Sequence, residues 1–478
     1  MKNYLALFLG VLLLLGFAAS AFAIHAEIPS ESQAVVATGS TQITIGGEVR
    51  TRCNFSNNTT DFNSNDPDHV SDCDERVRLS IEAKISPNTI GMIQLESTNE
   101  NTASKSQDYN FWGNYGSNNN ASAATGLYNA GNDKHSAMSI LQSWIQYSGT
   151  GLFGVPAGVK VGHMPLALGN GLFFDHSKFG DDAILFFLDP VQDFHMVALD
   201  AKFHEGSTIQ NDDGTGYVLV LNYAPKGWSA AFDATYVNDQ RSFGTAAGPE
   251  PPPGPFYTNG PGPNTPTHFW NFGLHLNANI DGFALKGDGE LQAGSIVRPI
   301  GDIKTNFTGW ASMLGGSYKL DPVTLSLDWA YGSGPSSSTN NVSAFVTSLG
   351  ADKHFTYVYE YQTVNACGEQ FGGICNTQYI KIGGAADLAK DLDGNMQFYW
   401  LHANNVSAIT FPVGGKSSKQ IGYELDAKLN YKLDRNLNWW VEGGYLFAGN
   451  FWHELATVTP DMSPSNAYAG RMGLQLNF

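Results

Sequence analysis

Beyond its first two dozen residues the chain has no apolar run approaching the roughly 20 residues that carry a helix across a membrane. Basic residues are also scarce. Lysine and arginine total 26 against 44 aspartates and glutamates, a net charge of −18, which excludes a nucleic-acid partner. Cysteine is limited to four residues, with neither CxxC nor CxxCH, so the chain offers no zinc ribbon and no attachment point for c-type haem. GxSxG, HExxH and a phosphate loop are absent as well, and no enzyme, cofactor or metal centre is expected. Asp175-His176-Ser177 has the residue types of a hydrolytic triad, but neighbours in a strand alternate faces and cannot form one.

Glycine is abundant at 53 residues and aromatics reach 12 %. Lys2, the apolar run from Tyr4 to Phe17 and Ala21-Phe22-Ala23 have the order of a secretory signal peptide, cut before Ile24. Residues 24–40 would then form a short periplasmic segment, and 41–478 a single domain, because no Pro- or Ser-rich linker divides them. Export makes disulfides available. Cys53 with Cys73, and Cys367 with Cys375, are expected to pair, each bridge stapling a polar loop.

A period of two runs through this domain. In 41–52, Ile43, Ile45, Val49 and Thr51 alternate with Gln42, Thr44, Glu48, Arg50 and Arg52; in 76–85, Val77, Leu79, Ile81 and Ala83 alternate with Arg76, Arg78, Ser80, Glu82 and Lys84. Soluble sandwiches and transmembrane barrels both alternate, and the connections separate them. Brief turns at Pro87-Asn88, Asp189-Pro190, Pro225–Gly227, Ile280–Gly282, Leu320–Pro322 and Leu433–Arg435 alternate with long polar segments. Those segments are 53–74, 99–136, 164–181, 205–215, 239–266, 294–306, 333–375, 405–418 and 448–466. Short turns at one end and long loops at the other mark an outer-membrane β-barrel.

If every long loop faces outward, strands come in pairs between them, and nine loops give about eighteen antiparallel strands. That count makes 182–188 and 193–203 separate strands, and it asks for a strand at 377–383 with 385–393 as its turn. Residues 355–362 read either as a strand or as an extracellular hairpin, which leaves a sixteen-stranded closure as the alternative. Trp228, Tyr236, Tyr318, Tyr331, Trp439 and Tyr445 gather near strand ends, as interfacial girdles do.

The last stretch, 467–478, alternates Tyr468, Gly470, Met472, Leu474, Leu476 and Phe478 with a polar face. A final strand ending in Phe resembles the signal that the barrel-assembly machinery of the bacterial outer membrane reads. Phe478 is therefore the expected assembly signal, and outer-membrane lipid and lipopolysaccharide the expected surroundings.

Residues 142–175, QSWIQYSGTGLFGVPAGVKVGHMPLALGNGLFFD, and 421–451, IGYELDAKLNYKLDRNLNWWVEGGYLFAGNF, resemble the alginate-export type of outer-membrane porin. The first matches its "Q-x-Y/W" strand, "VGR/H" strand and "LGNG" loop; the second matches its "G-x-E-x-D" and "GYxxFxxGxF" hairpin. The resemblance implies an eighteen-stranded monomeric barrel. An alginate channel needs a strongly basic lumen to carry a polyuronate, whereas acidic residues predominate here, so the alginate substrate is not carried over.

The candidate functional residues are inward charges. Arg50, Arg52, Arg76, Arg78 and Arg471, with Glu48, Glu82 and Glu96, share the lumenal parity, as a selectivity filter or as a braced, salt-bridged wall. Asp233, Lys286, Asp288, Glu290, Asp328, Glu424, Asp426, Lys428 and Glu442 form a mixed, mostly acidic wall across the lumen. Residues 169–182, with Phe173, Asp175, His176, Lys178, Asp181 and Asp182, are amphipathic enough to fold inward as a constriction, the alternative being an outward lid. Asp212-Asp213-Gly214 and 391–395 lack the closing Glu of a calcium loop and read as turns. Asp68, His69, Asp72 and Asp74 form an acidic loop. The expected function is a passive channel for small hydrophilic solutes or ions; the alternative is a sleeve around a partner such as a periplasmic multihaem cytochrome.

Overall fold

A computed structural model of the chain describes residues 34–38, 41–60, 62–64, 68–97, 110–111, 138–151, 154–205, 213–240, 267–298, 303–336, 341–349, 354–368, 372–406, 418–452 and 464–478. Eighteen antiparallel strands close into one barrel. In chain order they are β1 (Thr41–Asn57), β2 (Val70–Ser86), β3 (Thr89–Ser97), β4 (Met138–Gly149), β5 (Ala157–Met164) and β6 (Asp181–Val191). There follow β7 (Phe194–His204), β8 (Gly214–Tyr223), β9 (Trp228–Asp239), β10 (Thr267–Ile280), β11 (Phe283–Arg298) and β12 (Trp310–Leu320). The last six are β13 (Val323–Gly332), β14 (Thr377–Ala389), β15 (Leu392–Ala403), β16 (Gln420–Asp434), β17 (Leu437–Ala448) and β18 (Ala467–Asn477). The signal peptide lies outside the described residues; the segment after it contributes Ala34–Thr38, which pairs antiparallel with 41–45 of β1.

Each strand pairs with its sequence neighbours, and β1 closes the ring on β18 from Glu48 opposite Asn477 to Asn57 opposite Tyr468. Phe478 completes the seam, its carbonyl accepting from Gly47 N at 2.6 Å and its own N–H donating back at 3.0 Å. Closure leaves no free edge, which hydrocarbon would penalise by several kcal/mol per unpaired backbone group. Long connections follow every odd-numbered strand and short ones every even-numbered strand, so all long loops share one end with parity intact. At the other end, Asp281 and Gly282 both take positive φ, the mirror-image turn that suits the right-handed twist of a hairpin.

Ile145, Leu274, Leu276, Leu291, Leu314, Leu325, Leu327 and Ile382 stand exposed around the outside, alternating with buried inward polar groups such as Asn271, His275 and Glu290. An apolar exterior over a polar interior is the arrangement of a barrel solvated by lipid. The protein is an outer-membrane β-barrel.

Four local expectations need correction. The turn after β6 is Gln192-Asp193, with Asp193 at φ 62°, and Asp189 and Pro190 remain in the strand. β14 runs to Ala389, because the alternation continues through 384–389, leaving only Lys390-Asp391 as its turn. Residues 294–306 mostly extend the sheet, Ser295–Arg298 pairing with Ile303–Asn306. Residues 355–362 are neither strand nor hairpin; they lie in bends and turns folded into the lumen.

Both disulfides form, Cys53–Cys73 and Cys367–Cys375. Cys53 and Cys73 are directly opposed residues of β1 and β2, so this bridge clamps the ladder itself, and the loop it closes begins beyond it.

Candidate functional site in the barrel lumen

The inward residues of β1–β3 form one buried ionic cluster. Register sets Arg50 opposite Arg76, a like-charge pair, but carboxylates flank it: Arg52 faces Asp74, Arg78 faces Glu48, and Glu96 faces Arg78 from β3. Arg52 Nε donates to both oxygens of Asp74 at 2.7 and 3.0 Å, and Arg50 Nη2 lies 3.9 Å from the same carboxylate. Arg76 Nη2 pairs with Glu48 at 2.6 Å and its Nε lies 3.8 Å from Glu96, which also takes Arg78. Glu82 lies outside the cluster, opposite Thr44 and Met92. Asp74, first read as part of an acidic loop, is fully buried and belongs to the cluster; its even parity with Arg76 was the available signal.

Arg471 on β18 continues this wall. It pairs with Glu442 of β17, donates to Tyr361 Oη at 3.0 Å, and lies 5.5–5.6 Å from the rings of Tyr357, Tyr361 and Trp440. On the other flank Gln94 donates to Ser80 and accepts from Gln142, and Lys160 Nζ sits 3.8 Å from the Trp144 ring centroid.

Residues 165–180, between β5 and β6, fold inward. Leu166, Leu168, Phe173 and Phe174 are buried with Leu185, Val197, Leu199, Val218 and Val220, an apolar patch on the lumenal wall of β6–β8. Asn170 anchors the tip, its N–H donating to Asp288 at 3.1 Å and its side-chain amide to Gly287 O at 3.2 Å. His176 bridges Asp181 at 2.8 Å and Ser348 at 2.7 Å; Asp175 accepts from Ser177. Lys178 lies 4.6 Å from the Phe179 ring centroid. Asp182 is a correction: it is the second residue of β6, shares the outward parity of Ile184 and Phe186, and meets His163 at 2.9 Å on the outer face.

A second inward segment, 354–368 with 372–376, was not anticipated. Its backbone hangs on two lumenal carboxylates of β16. Asp426 accepts from Tyr357 N at 3.0 Å, and Glu424 accepts from Val358 N at 2.5 Å and Tyr359 N at 2.9 Å. Tyr359 Oη accepts from Ala366 N and meets Thr377 Oγ1, and the Cys367–Cys375 bridge closes the turn. Burial pushes the Tyr357 and Tyr359 phenols up, so both stay neutral hydroxyls. Residues 341–349 link the two: Ser348–Leu349 pairs parallel with Phe174–Asp175, Ser348 N donates to Phe173 O at 2.8 Å, and Thr347 Oγ1 donates to Gly372 O at 3.2 Å. Together they form one composite inward structure on the lumenal wall. The i, i+2 carboxylates Glu424 and Asp426 were visible in the sequence, but nothing local said that they hold backbone amides.

The other acidic motifs serve local structure. Asp68 accepts from the N–H groups of Asn58 and Thr60, Asp72 from Asn54, Asp213 from Lys202, and Asp393 from Asn430. Asp212 lies outside the described residues.

The sequence profile of the family described as alginate export matches residues 41–464. Three solved structures from Pseudomonas aeruginosa resemble the barrel. OccK11 (OpdR) does so at 9 % identity and TM-score 0.50, over 91 % of this chain and 96 % of that one. OpdQ matches at 10 % and 0.50, over 92 % and 97 %. The outer-membrane protein opdK matches at 10 % and 0.50, over 91 % and 98 %. At these identities the likeness is one of fold. No curated protein sequence matches the chain.

Proposed function

The chain belongs to the alginate export family, and from that premise we propose that it is a passive outer-membrane channel for small hydrophilic solutes or ions. The observation that carries this reading is the pair of inward segments, 165–180 and 354–368, which are fixed to lumenal carboxylates beside a wall of buried guanidinium groups and together form a composite constriction. A constriction held by charge-assisted hydrogen bonds narrows the passage at a defined depth, and the groups that line it set which solutes pass.

The family's description points to alginate, a polyanion. Here Arg52, Arg76, Arg78 and Arg471 each meet a carboxylate, so little free positive charge remains to carry a polyuronate. Solutes of low charge suit such a wall better. The barrel's own segments also occupy the lumen that a threaded partner protein would need, which favours a channel over a sleeve.

The test is conductance and reversal potential of the purified barrel in planar bilayers under a salt gradient. Discrete single-channel openings with modest ion selectivity are expected. A silent barrel that co-purifies with a cytochrome would overturn the proposal.

A further inference from the structure

Away from the basic cluster, one lumenal group has more buried negative charge than its neighbours neutralise. Asp233 on β9, His275 and Asn271 on β10, and Asp288 and Glu290 on β11 all face inward, and each is at least nine-tenths buried. The register gathers them: His275 lies opposite Asp288, and Gly273 lies between Asp233 and Glu290. Gly273 leaves the centre of the group open, since a Cβ there would fall 2.7 Å from His275 Nε2 and closer still to Asp233. The imidazole uses Nδ1 toward Asp288 and Nε2 toward Asp233. Two carboxylates thus share one imidazole, and a third, Glu290, lies beside them.

Glu290 is the independent observation. Its side chain is 2 % exposed, it has no salt bridge among the described residues, and its one hydrogen bond comes from the neutral amide of Asn271 at 2.7 Å. Its other carboxylate oxygen takes no hydrogen bond among the described residues, and the group is aimed at the cluster: ligand atoms of His275, Asp288 and Glu290 all lie within 4.8 Å of one another. Three buried carboxylates beside one imidazole leave the group with excess negative charge, which a proton or a bound cation would offset.

We propose that His275, through Nδ1, with Asp288 and Glu290 binds one divalent transition-metal ion, zinc being the best match, while Asp233 accepts from Nε2 and orients the ring. Two ligands on one zinc ion, each about 2.1 Å from it, lie at most about 4.2 Å apart, so the observed spacing needs only a small contraction. An imidazole among carboxylates selects such an ion over calcium or magnesium, which take oxygen ligands. The Asp288 carboxylate also holds Asn170 at the tip of the constriction, so the ion would fix the wall on which that segment rests.

The experiment treats the purified barrel with a chelator, dialyses it against zinc, and measures retained metal by mass spectrometry after gel filtration. About one zinc per barrel is expected, with protons released on loading. Glu290→Gln and His275→Gln should each weaken binding by more than about tenfold. Heat-shifted migration on gels confirms that both variants are folded, and Asp391→Asn, in a turn at the far end, should bind like the parent. A folded parent barrel that retains no stoichiometric zinc would overturn the proposal and leave the site neutralised by protons. Equal retention by His275→Gln, or equal binding of magnesium and calcium, would also overturn it, because the imidazole would then not be a ligand. Channel conductance is measured separately and does not enter this test.

Discussion

Two corners of the same lumen follow the same alternation and reach the same burial, yet end with opposite electrostatics. On β1–β3 the guanidinium groups of Arg52, Arg76 and Arg78 each have a carboxylate on a neighbouring strand, and Asp74 serves two arginines. On β9–β11 two carboxylates hold one imidazole and a third, Glu290, lies beside them. Parity decides which residues face inward; register decides which of them meet. A shift of two residues between β1 and β2 would keep every arginine inward but set Arg52 opposite Arg76 and Arg50 opposite Arg78, and move Asp74 opposite Asn54.

The largest expected effect comes from removing the shared partner in the basic corner. Asp74→Asn leaves Arg50 and Arg52 buried without it, and should destabilise the folded barrel by about 3–5 kcal/mol in guanidinium unfolding. The matching change in the acidic corner, Asp233→Asn, relieves like charge when no metal is bound. In chelator it should leave stability within about 1 kcal/mol of the parent, or raise it. Equal costs for the two substitutions would break the comparison.

A smaller effect is expected where carboxylates hold backbone instead of arginine. Glu424→Gln keeps one carbonyl acceptor and loses the other of two charged bonds to amide N–H groups, at about 1.5–3 kcal/mol. The loss falls on the 354–368 segment and not on the ladder. Strand content and unfolding midpoint should therefore change little, while single-channel current becomes larger and noisier. An unchanged conductance would show that this segment does not limit the passage.

The difference between the corners also explains what the sequence disclosed. Strand number, closure of β1 on β18 and the inward parity of the arginines followed from a period of two and from the alternation of loop lengths, both of which are local. The inward fold of 165–180 was readable because Phe173 and Phe174 are apolar in a loop that water would otherwise surround. The inward fold of 354–368 was not, because its anchors are backbone amides, which every residue carries. Nor was Asp182 placed correctly: one residue of parity separates it from the lumen, and the loop's end had to be known to that precision. The convergence of Asp233, His275, Asp288 and Glu290 depends on register across three strands joined by a loop outside the described residues, between 240 and 267.

The smallest expected effect isolates selectivity from stability within the basic corner. Arg50 is the least committed of its arginines: its closest carboxylate contact is the 3.9 Å approach to Asp74, and its Nε has no hydrogen-bond partner. Asp74 remains doubly bonded to Arg52 when Arg50 is gone, so Arg50→Gln strands no charge and should change stability by less than about 1 kcal/mol. Removing one positive charge from a wall whose other charges are paired should still move the reversal potential toward cation selectivity, with single-channel conductance nearly unchanged. Raising the salt concentration should shrink that shift, since the field of one lumenal charge is screened within about 10 Å at 0.1 M. If the potential does not move, the guanidinium cluster acts as a structural brace alone, and selectivity must be sought at the composite constriction.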